Sequence, residues 1–541
     1  MKRRYLIGII GVLILLLAGV GLYRWLRPRQ GPGLPVTACV PPGAVYVVET
    51  GDARSAWQKI HRHPLFEAFR QMPDYAFLNE VDSILTAYVL HNKTTSGFFR
   101  HRPFALSAHL VAGNDYDFLY LLDLGKVYPL SRLLPVVKPL LPRSIAIRPF
   151  RIEGREAWKI TGWTDDPLYV TTRGNVLLLS FSYQIIRQSL LAETNYRLDS
   201  LMRTVDGRAP FRFCFDYGQL PRFVQAFGMR PQTTVYTLAR QWDKSILGIR
   251  PGPPRAVAEG ITRARPGSVM AALLADNPAR ASRAAAVLPA STMVYTALTV
   301  KDFSRFYTDL LRQLSQSDPD QVSSYFRYAQ QLEKYFQINI ERDILAWMGP
   351  EIGVAKWGDA QTLTAALIIR TNDADLARRR LDEINRKLEK RSPVHFKSFR
   401  YEGHTIHYLH QKNFFRLLFG PWLGAITTPY YTVLNDYVIF SNSARDLEQL
   451  IDAYLQGNTL EKTATAGPFL DEGPRRSHLH VFIRPPALYS WTYRHGTASQ
   501  RQSLRAYYPL FQRIRMMRMD WNVRDSLSID TYMALQLEKH H

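Results

Sequence analysis

Cysteine is scarce in this chain, because its 541 residues include only Cys39 and Cys214. That scarcity excludes a disulfide-dense scaffold and a zinc array built on cysteines. Acidic residues are also few: 46 Asp and Glu stand against 69 Lys and Arg, so the formal net charge is +23. With 46% hydrophobic residues, the chain is too apolar for intrinsic disorder, and its length predicts two to four domains.

The common catalytic signatures are missing as well. The sequence contains no phosphate loop, no dinucleotide-binding glycine pattern, no His-Glu-x-x-His and no Gly-x-Ser-x-Gly. It also has no serine followed three residues later by lysine, the nucleophile pattern of penicillin-binding proteins. The sequence therefore predicts no catalytic residue, cofactor or metal ligand, and we expect a protein that is not an enzyme.

The first thirty residues differ from the rest of the chain. Lys2, Arg3 and Arg4 precede an uncharged run from Tyr5 to Tyr23. About 20 apolar residues suffice to cross the ~30 Å hydrocarbon core of a bilayer. A cleaved signal peptide is the alternative, but it has a shorter apolar run that ends at small residues. We expect residues 1–30 to form a cytoplasmic stub and an uncleaved transmembrane anchor, followed by a tether over residues 31–40.

The side of the membrane is less clearly marked. Basic residues flank the apolar run almost equally on both sides, and the free amino terminus gives a slight preference for N-inside. The predicted location is the inner (cytoplasmic) membrane, with a single pass and the bulk of the chain in the periplasm. A lipidation box at 36–39, ending in Cys39, is a weaker alternative because residues 27–33 separate it from the run.

An internal repeat is the most informative feature of the sequence. Residues 150–154 (FRIEG) recur as residues 399–403 (FRYEG), 249 positions later. Further matches follow in the same order: 41–46 with 288–293, 102–106 with 349–353, and 179–182 with 440–443. We expect two homologous units, 41–275 and 288–541, joined by a connector at 276–287 that is rich in Arg and Ala.

Within each unit, alternating and helical patterns succeed each other in the same order. They predict an α+β fold with mainly antiparallel sheets and helices on one face of each sheet. Asp52 and Asp302 are expected to cap the first helix of each unit. Residues 268–274 (SVMAALL) are interpreted as a buried strand, and Met517 as the site of a β-bulge between two alternating stretches.

Three segments of the first unit carry a family likeness: residues 78–85 (LNEVDSIL), 102–109 (RPFALSAH) and 114–119 (NDYDFL). With them, the chain resembles a Bacteroidetes-type family of membrane-anchored bacterial envelope proteins, a domain of unknown function. The likeness covers most of the chain. It implies a place in the cell envelope, and no catalytic residue can be carried over because the family has no assigned reaction.

Three weaker features invite a chemical interpretation. His404, His407 and His410 are closely spaced, but strand alternation turns His407 away from the other two, so they cannot converge on one metal ion. Residues 114–117 (NDYD) lack the glycine and distal glutamate of a calcium loop, which favours a polar turn. Glu153 and Glu402 each precede a glycine, which favours tight turns over a catalytic carboxylate pair.

The cysteines and the excess of arginine complete the sequence-based hypotheses. Cys214 is expected to be a small buried hydrophobic residue, and pairing with Cys39 is left open. The excess of arginine is expected to be mainly ordinary solvated surface. For any part of it that binds a partner, anionic lipid or an acidic envelope polymer is more plausible than nucleic acid, because the units are expected outside the cytoplasm. The leading hypothesis is a non-enzymatic binding or scaffold module. The alternatives are a carrier of a lipid or other hydrophobic ligand, and an envelope hydrolase with a site assembled from distant residues.

Overall fold

The fold is described from a computed structural model of the chain. It describes residues 33–538 apart from positions 73–77, 92–95, 97–98, 112–114, 126–129, 132–144, 163–165, 227–232, 318, 360, 391–397, 410, 420–423 and 425. The chain divides into two compact units. The first holds residues up to Arg265 with 506–513 and the C-terminal residues from 537, and the second holds 266–505 and 514–536.

The first unit is built on an antiparallel sheet. Its strands are β1 (Ala44–Thr50), β2 (Phe104–Leu110), β3 (Tyr116–Asp123), β4 (Ala146–Ile152), β5 (Arg155–Thr161), β6 (Leu168–Arg173), β7 (Val176–Ser180), β8 (Phe211–Asp216), β9 (Trp242–Arg250) and β10 (Arg255–Ala264). They pair in the order β10-β9-β8-β1-β2-β3-β7-β6-β5-β4. The expected antiparallel architecture is confirmed in this unit.

The second unit is also built on antiparallel pairs. Its strands are β11 (Thr292–Thr299), β12 (Met348–Gly358), β13 (Leu363–Thr371), β14 (Phe399–Tyr401), β15 (His404–Tyr408), β16 (Tyr430–Leu434), β17 (Tyr437–Ser441), β18 (Leu479–Ile483), β19 (Ile514–Asp525) and β20 (Ser528–Leu537). Their order is β20-β19-β18-β11-β12-β13-β17-β16-β15-β14. When β1 is matched with β11, β2 with β12 and so on, this order is the same as in the first unit.

Seventeen α-helices are interspersed among these strands in the described part of the chain. Those that fall before β11 are α1 (Ala53–Ile60), α2 (Pro64–Gln71), α3 (Leu78–Leu85), α4 (Tyr183–Leu191), α5 (Tyr196–Met202), α6 (Leu220–Ala226), α7 (Thr233–Gln241) and α8 (Val269–Ala275). The later ones are α9 (Phe303–Ser317), α10 (Pro319–Phe336), α11 (Ile340–Asp343), α12 (Ala374–Glu389), α13 (Phe414–Phe419), α14 (Ala444–Leu455), α15 (Ala466–Asp471), α16 (Pro485–His495) and α17 (Ala498–Arg513).

Local details coincide at the positions that the sequence repeat had matched or one residue away from them. Phe150 lies opposite Ala157 across the β4–β5 hairpin, and Phe399 lies opposite Ile406 across β14–β15. The register between the first two strands shifts between residues 44 and 46 in one unit and between residues 292 and 294 in the other. The agreement therefore extends from strand order to the register of individual hairpins.

The predicted helix caps are confirmed. The Asp52 carboxylate accepts the backbone N–H of Ser55 at 2.9 Å, and the Asp302 carboxylate accepts that of Arg305 at 3.0 Å. These bonds satisfy donors that the first turn of a helix leaves free. A pattern visible in the sequence thus defines where both helices begin.

Helices cover both faces of the first sheet, so the expectation of helices on one face only was wrong. Successive residues of β3 point to opposite faces. Leu119 and Leu121 belong to a hydrophobic cluster with Ile186 of α4. Tyr120 and Leu122 belong to a second cluster, against which Trp57 of α1 packs. Helices α4 and α1 therefore pack against opposite faces of the sheet.

Two local predictions were also wrong. Residues 269–275 form helix α8, because the Ser268 side chain caps its amino end and Ala, Leu and Met are strong helix formers. No bulge occurs at Met517 in the pairing of β18 with β19, where Met517 and Arg518 face Ile483 and Phe482 in unbroken register. The alternation looked broken because the sequence interpretation assumed that charged residues point outward, whereas Arg518 is buried.

The N-terminal region differs from expectation where it is described. Residues 36–39 were assigned to the tether, but they form a buried 3-10 helix that packs into the first unit. The predicted anchor at 1–30 lies outside the described residues. Among the helices that are described, none combines the length and apolar character needed to cross a bilayer.

Candidate functional site

Ser, His and Asp side chains meet at two neighbouring strands of the second sheet. Ser477 lies just before β18, His480 lies on β18, and Asp520 faces His480 from the neighbouring strand β19. The Asp520 carboxylate lies 2.6 Å from Nδ1 of His480 and 3.0 Å from Oγ of Ser477. These three residue types are those of a hydrolytic triad, so the cluster is the foremost candidate for chemistry among the described residues.

The geometry of the cluster differs from that of a triad. A triad needs the serine on one ring nitrogen and the acid on the other, with the serine open to substrate. Here Ser477 donates directly to the acid, and its Oγ lies 3.1 and 3.2 Å from the two ring nitrogens. Ser477 is fully buried and Asp520 is 1% exposed. The arrangement is therefore a buried Asp520 carboxylate that accepts hydrogen bonds from Ser477 and His480.

Arg518 completes the surroundings of this carboxylate. Its Nε lies 2.5 Å from the second oxygen of Asp520, and its Nη2 donates to the carbonyl of Pro474 at 2.9 Å. A further bond reaches the carbonyl of Leu470. Burial raises the pKa of Asp520, but the hydrogen bond from His480 and the charge of Arg518 outweigh it, so the pKa lies below its usual value. The cluster therefore holds the segment after α15 against the sheet.

A second buried carboxylate, Glu351 on β12, is also surrounded by donors. It accepts hydrogen bonds from the hydroxyls of Tyr295 at 2.8 Å and Tyr437 at 2.7 Å, and from the backbone N–H of Arg283 at 3.0 Å. The Ser282 hydroxyl is a fourth donor. Burial and the neighbouring carboxylate raise the pKa of both tyrosines, so their hydroxyls stay protonated as donors. This carboxylate anchors the irregular segment 282–283 to the sheet.

The first unit contains buried polar groups of its own. His109 is 3% exposed, and its Nε2 lies 2.9 Å from the hydroxyl of Ser107. Burial lowers the pKa of His109 to about 4, so the ring is neutral at neutral pH. Cys39 and Cys214 are free, buried thiols whose pKa values burial raises to about 11 and about 12. A thiol with so high a pKa is a poor nucleophile.

The histidines and the acidic turn considered from the sequence remain separate. His404 and His407 lie on β15, where the His407 ring stacks on Tyr431 at 4.8 Å. His410 and Asn114 lie outside the described residues. Asp115 and Asp117 each accept the backbone N–H of the following residue. No group of three metal-ligating side chains occurs in the part of the chain that the structure describes.

Glu153 and Glu402 occupy equivalent tight turns, as the sequence predicted. Both have positive φ angles, +48° and +46°, and the glycines that follow have φ of +76° and +80°. Two consecutive positive φ values define the turn that suits the twist of a two-residue hairpin. Glu153 forms an ion pair with Arg187 at 2.6 Å. The two carboxylates thus belong to hairpin turns.

Sequence reasoning missed the two buried carboxylate clusters. Arg518 and Asp520 occupy the inward positions of an otherwise apolar alternation in β19, and Glu351 follows a proline at the start of a hydrophobic strand. A charged residue in the inward phase of a strand is the pattern that would have identified them. Comparison of the chain with protein-family models, with curated proteins and with solved structures gives no match. The family likeness therefore stays a prediction.

Proposed function

We propose that this chain is a single-pass, membrane-anchored envelope protein whose two α+β units arose by duplication and act as a non-enzymatic binding or scaffold module. The shared strand order and the matched turns at Glu153 and Glu402 support the duplication. The uncharged run from Tyr5 to Tyr23 supports the anchor. The resemblance to Bacteroidetes-type envelope proteins supports a place in the cell envelope, and the slight N-inside preference supports the inner membrane with the units in the periplasm.

One observation carries the non-enzymatic part of the proposal. Within the Ser477–His480–Asp520 cluster, the serine and the carboxylate are closed to solvent, and their hydrogen bonds are made within the protein. The donors around Glu351 are used in the same way. Buried carboxylates with complete sets of donors fix one arrangement of the chain, which suits a rigid scaffold.

A carrier of a lipid or other hydrophobic ligand is the second candidate, because half-buried aromatic rings of the first sheet lie against Phe223 of α6. Tyr46 lies 6.0 Å from Phe213 and 6.1 Å from Phe223, measured between ring centroids. Tyr116 lies 5.9 Å from Phe223. Organic extraction of the purified protein, followed by lipid mass spectrometry, would detect a stoichiometric acyl ligand if this candidate holds.

The anchor and its orientation can be tested together. An alkaline phosphatase reporter fused after His541 should be active, and the fusion should stay with membranes during alkaline carbonate washing. A matched fusion with Ile14→Arg and Leu15→Arg should lose both properties, because a charge at the centre of a span costs about 3 kcal/mol. Release of the unaltered fusion by carbonate would refute the anchor, and activity of a cytoplasmic reporter only would refute the orientation.

A further inference from the structure

Helices α16 and α17 combine aromatic residues with positive charge and no acid. Between Glu472 and Asp520 the sequence has no Asp or Glu, while its nine basic residues other than histidine are all arginine. Gly496 and Thr497 join the helices, and the Thr497 side chain caps α17 together with Gln500. We call residues 485–505 the arginine–aromatic hairpin; all of them belong to the second unit.

Three arginines of this hairpin carry charge without a carboxylate partner. Within the described residues, no carboxylate lies within ion-pair distance of Arg494, Arg501 or Arg505. Arg501 donates to the carbonyl of Gly496 at 3.1 Å, and Arg505 donates to the hydroxyl of Tyr493 at 2.8 Å. Arg494 acts on an acid only at longer range, as the smallest of several contributions that lower the pKa of Asp359.

Three other arginines of the second unit each form an ion pair. Arg312 pairs with Asp309 at 2.6 Å, Arg378 with Asp375 at 2.7 Å, and Arg524 with Asp530 at 2.7 Å. Each of these charges is balanced on its own surface. The positive charge of the arginine–aromatic hairpin is balanced by neither the local sequence nor an ion pair, so it is available to an anionic partner.

Four aromatic rings of the hairpin lie on α16, which also carries Arg494, and one of them, Tyr493, accepts the hydrogen bond from Arg505. The Tyr489 and Tyr493 rings are stacked 5.8 Å apart, and the Trp491 ring lies 5.1 Å from that of His495. Pro485 is the only residue of α16 that is buried, so these rings remain partly open to solvent.

We infer that the arginine–aromatic hairpin binds the surface of an anionic phospholipid bilayer. Arginine supplies the attraction to phosphate headgroups, and Trp and Tyr rings prefer the interfacial region of a membrane. A bilayer accommodates both groups of side chains, because its headgroups attract the guanidinium groups and its interfacial region accommodates the rings. The inference rests on the proposed membrane anchoring, which would keep the hairpin close to lipid.

Vesicle flotation tests the inference with the full chain. The chain is held by its own anchor in nanodiscs of zwitterionic phosphatidylcholine and is mixed with vesicles that contain about 30% phosphatidylglycerol, an anionic lipid of the kind that attracts basic segments. We expect association with these vesicles and none with phosphatidylcholine vesicles. The variant Arg494→Gln/Arg501→Gln/Arg505→Gln should associate about a hundredfold more weakly. The matched control Arg312→Gln/Arg378→Gln/Arg524→Gln removes the same charge from paired sites and should associate as the unaltered chain does.

Each other outcome has a defined meaning. Equal loss in the two triple variants would attribute the association to net charge and overturn the inference. Retention on an immobilised acidic polysaccharide without vesicle association would also overturn it in favour of a polymer partner. A chain that fails to enter nanodiscs would refute the proposed anchor; flotation of the free chain would then still test the hairpin, so the two failures are distinguishable.

Discussion

Nδ1 of His480 lies 2.6 Å from Oδ1 of Asp520, and both residues are buried on paired strands of the second sheet. Nε of Arg518 donates a hydrogen bond to the other carboxylate oxygen, Oδ2, at 2.5 Å. Burial of the Asp520 charge is compatible with a stable fold only while its donors are present, because leaving a buried charge unpaired costs several kcal/mol. His480 and Asp520 are therefore expected to act in folding, and the consequences of altering them are specific.

Asp520→Asn should lower the free energy of unfolding by about 3 kcal/mol, because the substitution leaves the Arg518 guanidinium buried without its anion. Urea unfolding at neutral pH measures the difference. Asp530→Asn is the control, since Asp530 pairs with Arg524 at the surface, where such pairs contribute about 0.2–1 kcal/mol. Equal losses in the two variants would show that the buried cluster has no special role.

The effect of Asp520→Asn should also depend on pH in one direction. The native pKa of Asp520 is lowered, so its charge stabilises the fold above the unfolded value of about 3.9. That stabilisation is lost as the pH falls through the lower native pKa. Unfolding measured from about pH 7 to about pH 3 should give a constant difference between variant and unaltered chain down to about pH 4, then a shrinking one.

His109 should make the protein less stable in mild acid. Its pKa is lowered from 6.5 to about 4, so between these pH values the unfolded chain binds a proton at His109 and the native state does not. Stability should fall as the pH drops below about 6.5, with His109 contributing about 2 kcal/mol between about pH 7 and about pH 5. His109→Gln should flatten the pH dependence of urea unfolding by that amount. An unchanged slope would mean that the native state binds the proton of His109 as readily as the unfolded chain does, which would contradict the lowered pKa.

The two equivalent turns should respond unequally to the same substitution. Asn tolerates a positive φ better than Glu, so Glu402→Asn should stabilise the protein by about 0.5 kcal/mol. Glu153→Asn gains the same backbone relief but loses the ion pair with Arg187, so its net effect should be close to zero. Thermal unfolding of the two single variants and the double variant measures both effects. A larger gain at Glu153 than at Glu402 would contradict this account.

The sequence predicted the features that depend on local chemistry. Asp52 and Asp302 could be recognised as caps because a short carboxylate satisfies the first turn of a helix wherever it is placed. The Glu-Gly turns could be matched because few residue pairs accept two positive φ angles. In such cases the determining interactions lie within a few residues of one another.

Features that depend on tertiary neighbours were beyond the sequence. Arg518 and Asp520 point inward because each compensates the other and His480 lies opposite, a fact that only strand pairing reveals. Residues 269–275 were mistaken for a strand because a short apolar run has no period that separates strand from helix. The coverage of both faces of β3 likewise follows from long-range packing.

The most direct test of the central claim is labelling of the native full chain with a fluorophosphonate probe, which reacts with activated serines. We predict no labelling at Ser477, because its hydroxyl is buried and donates to Asp520. Peptide mass spectrometry identifies the modified residue, and Ser477→Ala provides the control. Stoichiometric labelling of the native chain that Ser477→Ala abolishes would contradict the account and identify a hydrolase.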